Sequence, residues 1–240
     1  MSHFGIHVTR YVQALTLHFN YARHMRVDVW SDVVCPWCYI GFVRLDQALK
    51  QWTGEVEVYH HAFQLDQTAG DTPVLAAEHL AEKYGVAVED ALGMMEQVTE
   101  VAAKEGLNYQ LGQTMHGNTR NAHRLLSFAA TKGVQHELLI RLFNAYFEHA
   151  HNVFTADDLL PFAVAAGLDA DEVTAVLASD EYDDVVTYDR ELSEQIGVRG
   201  VPFFVFNQRV AVAGAESVEL MLQAMQRAKE LESADVSGAQ

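Results

Sequence analysis

The chain holds two cysteines, and they stand three apart in Cys35-Pro36-Trp37-Cys38. Thiols at this spacing can close and open a disulfide between themselves, so the chemistry they support is disulfide exchange. Their setting favours that use. Arg26-Val27-Asp28-Val29-Trp30, just before them, alternates in the manner of a strand. Tyr39 to Trp52, just after them, carries Phe42, Leu45 and Leu49 on one helical face. Cys35 is therefore expected where a helix begins, where unpaired amides and the helix dipole favour an anion. Thiolate is the attacking species, so Cys35 is the expected nucleophile. Pro36 suits the first helical position, since its missing N–H loses nothing there. Cys38 lies one turn inside, more shielded, and suits the resolving role. Trp37 and Pro36, between the thiols, suggest an exposed docking surface, although Trp37 packed against another element is an equal alternative.

Other readings of the pair are weaker. A structural disulfide across so short a loop would constrain the unfolded chain little. A zinc site would need two more ligands from the twelve histidines, and structural sites show a second paired-ligand knuckle. His60-His61, His116 and His123 are scattered and lack that spacing, so no metal ligand is assigned. An acid to take the proton of Cys38 could be Asp28 on the strand or Asp32 nearer the thiols, with capping or solvation the simpler role for either.

Composition bounds the rest. Half of the 240 residues are hydrophobic and a fifth are charged, an ordinary globular balance. The net charge of −17 argues against nucleic acid and against an anionic membrane surface. No run approaches the roughly 20 apolar residues that span a bilayer. Residues 1–24 contain no acid and no uninterrupted apolar stretch. They are expected to be an extension outside the fold rather than an export signal, with Met25 a natural start and a cytoplasmic location.

The elements that must position the thiols follow from periodicity. Glu55-Val56-Glu57-Val58-Tyr59 is a second strand, so residues 25–71 form a βαβ half. From 72 to 196 the pattern is helical almost throughout, in pieces near 74–84, 88–105, 119–132, 135–149, 155–166, 169–178 and 181–196. Thr155 and Asp169 sit where caps belong. Tyr109, Met94-Met95, Phe143, Tyr146 and Phe147 fit helical core positions. Residues 197–232 add the strands Val201–Phe206 and Arg209–Ala213 and a helix near 216–231, and 233–240 reads as a frayed tail. The expected fold is α/β: a βαβ half and a ββα half flanking a large all-helical insertion. Pro202 opens the third strand, a place where proline is tolerated, and on its own it reads as no more than that.

With these motifs together, the chain resembles the DsbA-like branch of the thioredoxin superfamily, and within it the FrnE-type proteins. The resemblance is carried by Val27-Asp28-Val29-Trp30-Ser31-Asp32-Val33-Val34-Cys35-Pro36-Trp37-Cys38-Tyr39-Ile40-Gly41, by Asn118-Thr119 with Ala122-His123-Arg124-Leu125-Leu126, and by Gly197-Val198-Arg199-Gly200-Val201-Pro202-Phe203-Phe204-Val205-Phe206. It covers about residues 25–232. It implies a thioredoxin fold, a cis bond before Pro202, and a redox-active disulfide with no tightly bound cofactor. Protein or small-molecule thiols and disulfides are the implied partners, glutathione among them as a co-substrate. Monomer and homodimer both stay open. Val201 and Pro202 are expected beside the thiols to bind substrate, with Asp32 and His123 as candidate cleft-lining residues. Glutathione-dependent isomerases of the 2-hydroxychromene-2-carboxylate type and kappa glutathione transferases resemble the chain in outline. They typically carry a serine in place of the first thiol and need no C-x-x-C, so the intact pair favours redox and leaves them the alternative reading.

Overall fold

The computed structural model describes residues 24–70 and 72–238. The expected N-terminal extension lies outside the described residues up to 23, and its last residue, His24, opens the first strand instead. Strand β1 (His24–Ser31) leads through a turn into helix α1 (Pro36–Gln51), and β2 (Glu55–Ala62) follows. After the insertion come β5 (Phe203–Phe206), β6 (Val210–Ala213) and α9 (Val218–Gly238). The four long strands form one sheet in the order β2-β1-β5-β6, with β1 and β2 parallel and the other pairs antiparallel.

The alternation in β1 divides the sheet into two faces. Val27 and Val29 pair in register with Phe206 and Phe204 and are fully buried. Phe42 of α1 meets His60 and Phe204 on this side. Helix α9 packs along α1 with Met221, Ala224, Met225 and Ala228 buried. The other face, bearing Asp28 and Trp30, is also covered, so Asp28 is neither solvated nor capping a helix. Its lid is α8, which packs against β2. Strand β2 runs three residues further than expected, because His60 and His61 stay in register with Val29 and Trp30. Helix α9 continues past the expected end into the supposed tail, which holds no proline or glycine before Gly238, and Asn207 anchors Glu232 at 2.9 Å.

Between the halves lie β3 (Val74–Leu75), α2 (Ala76–Tyr84), α3 (Val88–Lys104), β4 (Met115–His116), α4 (Arg120–Thr131), α5 (Gln135–Phe143), α6 (Ala156–Ala165), α7 (Ala170–Leu177) and α8 (Asp183–Gln195). Besides its helices, the insertion holds a two-residue ladder of β3 with β4, which periodicity cannot reveal at that length. The expected 135–149 helix changes character at Asn144, where one wide π-turn runs to Glu148. Thr155 caps α6 through a reciprocal box with Asp158, and Asp169 accepts the amides of Asp171 and Glu172 at the head of α7. Among the described residues, no helix is long and apolar enough to cross a membrane.

Candidate active site

The turn from β1 into α1 makes Cys35 the N-cap residue, with Pro36 at the first helical position. The Cys35 amide donates to the Asp32 carbonyl at 3.1 Å, and its own carbonyl accepts from the Cys38 amide at 2.9 Å. Both cysteines are free thiols. Pro36 and Trp37 do not carry the sulfurs into the open: Cys35 is 4% exposed and Cys38 fully buried. Trp37 itself is 40% exposed and lines a cavity of about 420 Å³ that Cys35, Pro36 and Val201 also line. It is therefore not packed away against the insertion.

The second motif meets the first at this point. The Cys35 thiol donates to the Val201 carbonyl at 3.5 Å, and the Val201–Pro202 bond is cis. Gly41, in the next turn of α1, allows this approach. A Cβ there would sit 2.9 Å from the Pro202 ring and 3.2 Å from Phe204.

Asp32 is the buried acid of the site, 1% exposed. Its Oδ2 accepts the Leu65 amide at 2.8 Å, and its Oδ1 lies 3.2 Å from His123 Nε2. Burial, and then Cys35 beside it, pushes the Cys38 thiol well above its ordinary range; the Asp32 charge adds to this, while a backbone group of Asp32 opposes it. His123 is thus placed by α4 against Asp32 rather than on an open cleft wall. Arg124, the next residue, faces elsewhere and caps the end of α7 by donating to the carbonyls of Val176 and Ser179.

Of the residues read from sequence as helical core, Tyr109 is core but not helical, and Met94 is not core. Tyr109 lies outside any helix and donates its hydroxyl to the Pro36 carbonyl at 2.8 Å. Met94 is 41% exposed and lines the thiol cavity. Asp28, the other candidate acid, belongs to a buried network. His61 lies 2.8 Å from both Asp28 and Asp189, under the ring of Trp30, and Arg26 pairs with Asp28. Burial works against charge on His61, but the two carboxylates outweigh it and lift its pKa to about 9.

Sequence reasoning also missed a grouping on the cavity rim. Asp66, His79 and His116 lie together there, although 50 residues separate the first from the last. Asp66 and His79 drew no notice as sequence, and only contact through the fold relates them.

Residues 26–226 match the DSBA-like thioredoxin domain. The chain belongs to that family. A probable DsbA oxidoreductase from Streptomyces coelicolor is 39% identical, covering 86% of this chain and 91% of its own, with a TM-score of 0.82. The uncharacterised YwbO of Bacillus subtilis is 25% identical over 85% of this chain and 99% of its own length. A 2-hydroxychromene-2-carboxylate isomerase, 15% identical with a TM-score of 0.60, covers 88% of this chain and 98% of its own and shares the fold. A DsbA-like fold with two thiols at the head of α1 is thus shown, as is the general class of thiol–disulfide chemistry.

Proposed function

We propose that the protein is a dithiol–disulfide oxidoreductase acting through Cys35 and Cys38. The observation that carries this is the 3.5 Å contact between the Cys35 sulfur and the Val201 carbonyl, at a helix start that opens on a cavity. The Cys35 thiolate attacks a substrate disulfide, forming a Cys35–substrate bond while the second substrate sulfur leaves as a thiolate. Cys38 then gives up its proton, for which the Asp32 carboxylate is the acceptor in this reading, and attacks the Cys35 sulfur. The protein ends as the Cys35–Cys38 disulfide, and the substrate leaves reduced. Run backwards, the same steps donate a disulfide.

The Val201 carbonyl, released when Cys35 loses its proton, accepts a backbone amide of an extended substrate, in the manner of an added strand. Trp37 and Met94 give the cavity apolar walls for such a segment or for a small thiol such as glutathione. Raising Cys38 keeps it a thiol until Cys35 has reacted, which orders the two steps.

Insulin reduction by the wild type, Cys35→Ser and Cys38→Ala chains tests the reading. Cys35→Ser abolishes turnover, and Cys38→Ala accumulates a mixed disulfide visible by mass. Turnover by Cys38→Ala with glutathione at the wild-type rate points instead to the glutathione-dependent isomerase or transferase reading. The intact pair argues against that reading, because such chemistry needs no second thiol. A reduction potential then fixes direction: a value near about −270 mV means reduction of substrates, and a far more oxidising one means disulfide donation.

A further inference from the structure

Asp66, His79 and His116 come from three separate segments: the loop after β2, helix α2 and strand β4. One ligand atom of each lies within 4.8 Å of the other two. The imidazole rings stack with centroids 3.5 Å apart and planes 7° from parallel. His116 Nε2 is 3.0 Å from Asp66 Oδ2. The other carboxylate oxygen, Oδ1, accepts both the amide and the hydroxyl of Thr68, at 2.8 and 2.7 Å. One oxygen is thereby anchored and the other is turned to the imidazoles, which is how an outer partner orients a metal ligand.

We propose that these three side chains bind a divalent transition-metal ion of the zinc class. Two imidazoles and a carboxylate are a donor set that such ions accept with a fourth position left open. Calcium and magnesium are disfavoured, because they take oxygen ligands. Ligand bonds of about 2.0–2.1 Å place donor atoms about 3.3 Å apart in a tetrahedron. Closing to that spacing takes side-chain rotation, with His116 exchanging its contact with Asp66 for the ion. Glu82 and Lys83 flank His79 with opposite charges, so Asp66 supplies the local excess of negative charge.

The position makes such an ion consequential. All three residues line both the thiol cavity and a second hollow of about 600 Å³ outside it. The ion enters from the outer hollow, and the cluster stands on the rim of the space above Cys35. Asp66 belongs to the βαβ half, whereas His79 and His116 belong to the insertion, so a bound ion ties the two at the mouth of the site. The overall negative charge of the chain favours cation uptake.

The test uses the full chain as wild type, Cys35→Ser/Cys38→Ser, His79→Ala and Asp66→Asn, titrated with Co²⁺ and then Zn²⁺. One equivalent of Co²⁺ binds to the wild type and to the thiol-free chain with the same visible spectrum and no thiolate charge-transfer band. Affinity falls about 100-fold or more in His79→Ala. Saturating Zn²⁺ raises the Tm of the first two chains and leaves that of His79→Ala unchanged. Circular dichroism checks that His79→Ala is folded; if it is not, His116→Gln takes its place. Loss of binding in the thiol-free chain puts the metal on the cysteines and overturns the proposal. Undiminished binding in both His79→Ala and Asp66→Asn overturns it as well, and so does absence of uptake by the wild type at micromolar Co²⁺. None of these outcomes depends on whether the thiols exchange disulfides.

Discussion

The phenol of Tyr109 donates a 2.8 Å hydrogen bond to the carbonyl oxygen of Pro36, joining the helical insertion to the residue that follows Cys35. The ring also stacks on Tyr39 and Phe147. Burial, and then the nearby Cys35, pushes the phenol far above its ordinary range, so it stays a donor at any working pH. Tyr109→Phe keeps the stacked ring and removes only the bond. Urea unfolding should show a loss of about 0.5–1.5 kcal/mol. Alkylation of Cys35 should quicken as the turn loosens, and an unchanged rate would mean that Tyr109 does not hold the thiol turn.

The Asp32 charge acts on Cys38, and its carboxylate is held by Leu65 and His123. Asp32→Asn removes a negative charge that raises the Cys38 thiol, so Cys38 ionises at lower pH. It also removes the proton acceptor. Release of substrate from the mixed disulfide should slow by about 10²-fold, a typical contribution of a placed base. Its pH profile should move toward acid. Stopped-flow release across pH reads both effects, and a slower reaction with an unmoved profile would leave Asp32 a purely structural role.

Gly41→Ala places a methyl group 2.9 Å from the Pro202 ring, where neither the ring nor the helix backbone yields easily. Alanine is the better helix former by about 1 kcal/mol, but overpacking a buried contact costs about 1–3 kcal/mol. A net loss of stability is expected, with Pro202 pushed from Cys35 and insulin reduction falling in step. A more stable variant of full activity would show that α1 and Pro202 have slack between them.

His61 sits between Asp28 and Asp189, with Arg26 also pairing with Asp28 and Trp30 stacked on its ring. Its pKa is lifted from an ordinary 6.5 to about 9 in the folded chain. A raised folded value means that the charged form stabilises the fold. This contribution is complete below about pH 6.5 and is lost as pH climbs through about 9. The Tm should therefore fall between those limits, and the slope should flatten in His61→Gln. That variant should be strongly destabilised at neutral pH, since removing one member of a buried ionic group costs about 3–5 kcal/mol.

Much of this was readable in the chain itself. The thiol pair, its place before a helix, the four main strands and most helix limits follow from spacing, period and caps, which are properties of neighbouring residues. Thr155 with Asp158 is such a case, since a capping box is closed within four residues. Asp28 shows where that reading stops. Alternation put it on the polar side of β1, as a lone strand would have it, yet α8 arrives from more than 150 residues away and buries it against His61 and Asp189. The two-residue β3–β4 ladder is too short to have a period at all. His79 carries no mark of its partners, because helices α2 and α3 and the β4 turn must fold before it meets His116.

By itself, the sequence determined that two thiols would stand at the head of a helix, one more shielded than the other. Local geometry allows little else for Cys-Pro-Trp-Cys after a strand. The family resemblance placed Val201 near the thiols, but only the tertiary structure decided the contacts: the Cys35 sulfur on the Val201 carbonyl, Asp32 buried against His123, and a rim of two histidines and an aspartate. The physical reason is that electrostatics and hydrogen bonding act over a few ångströms of space, whatever the distance along the chain.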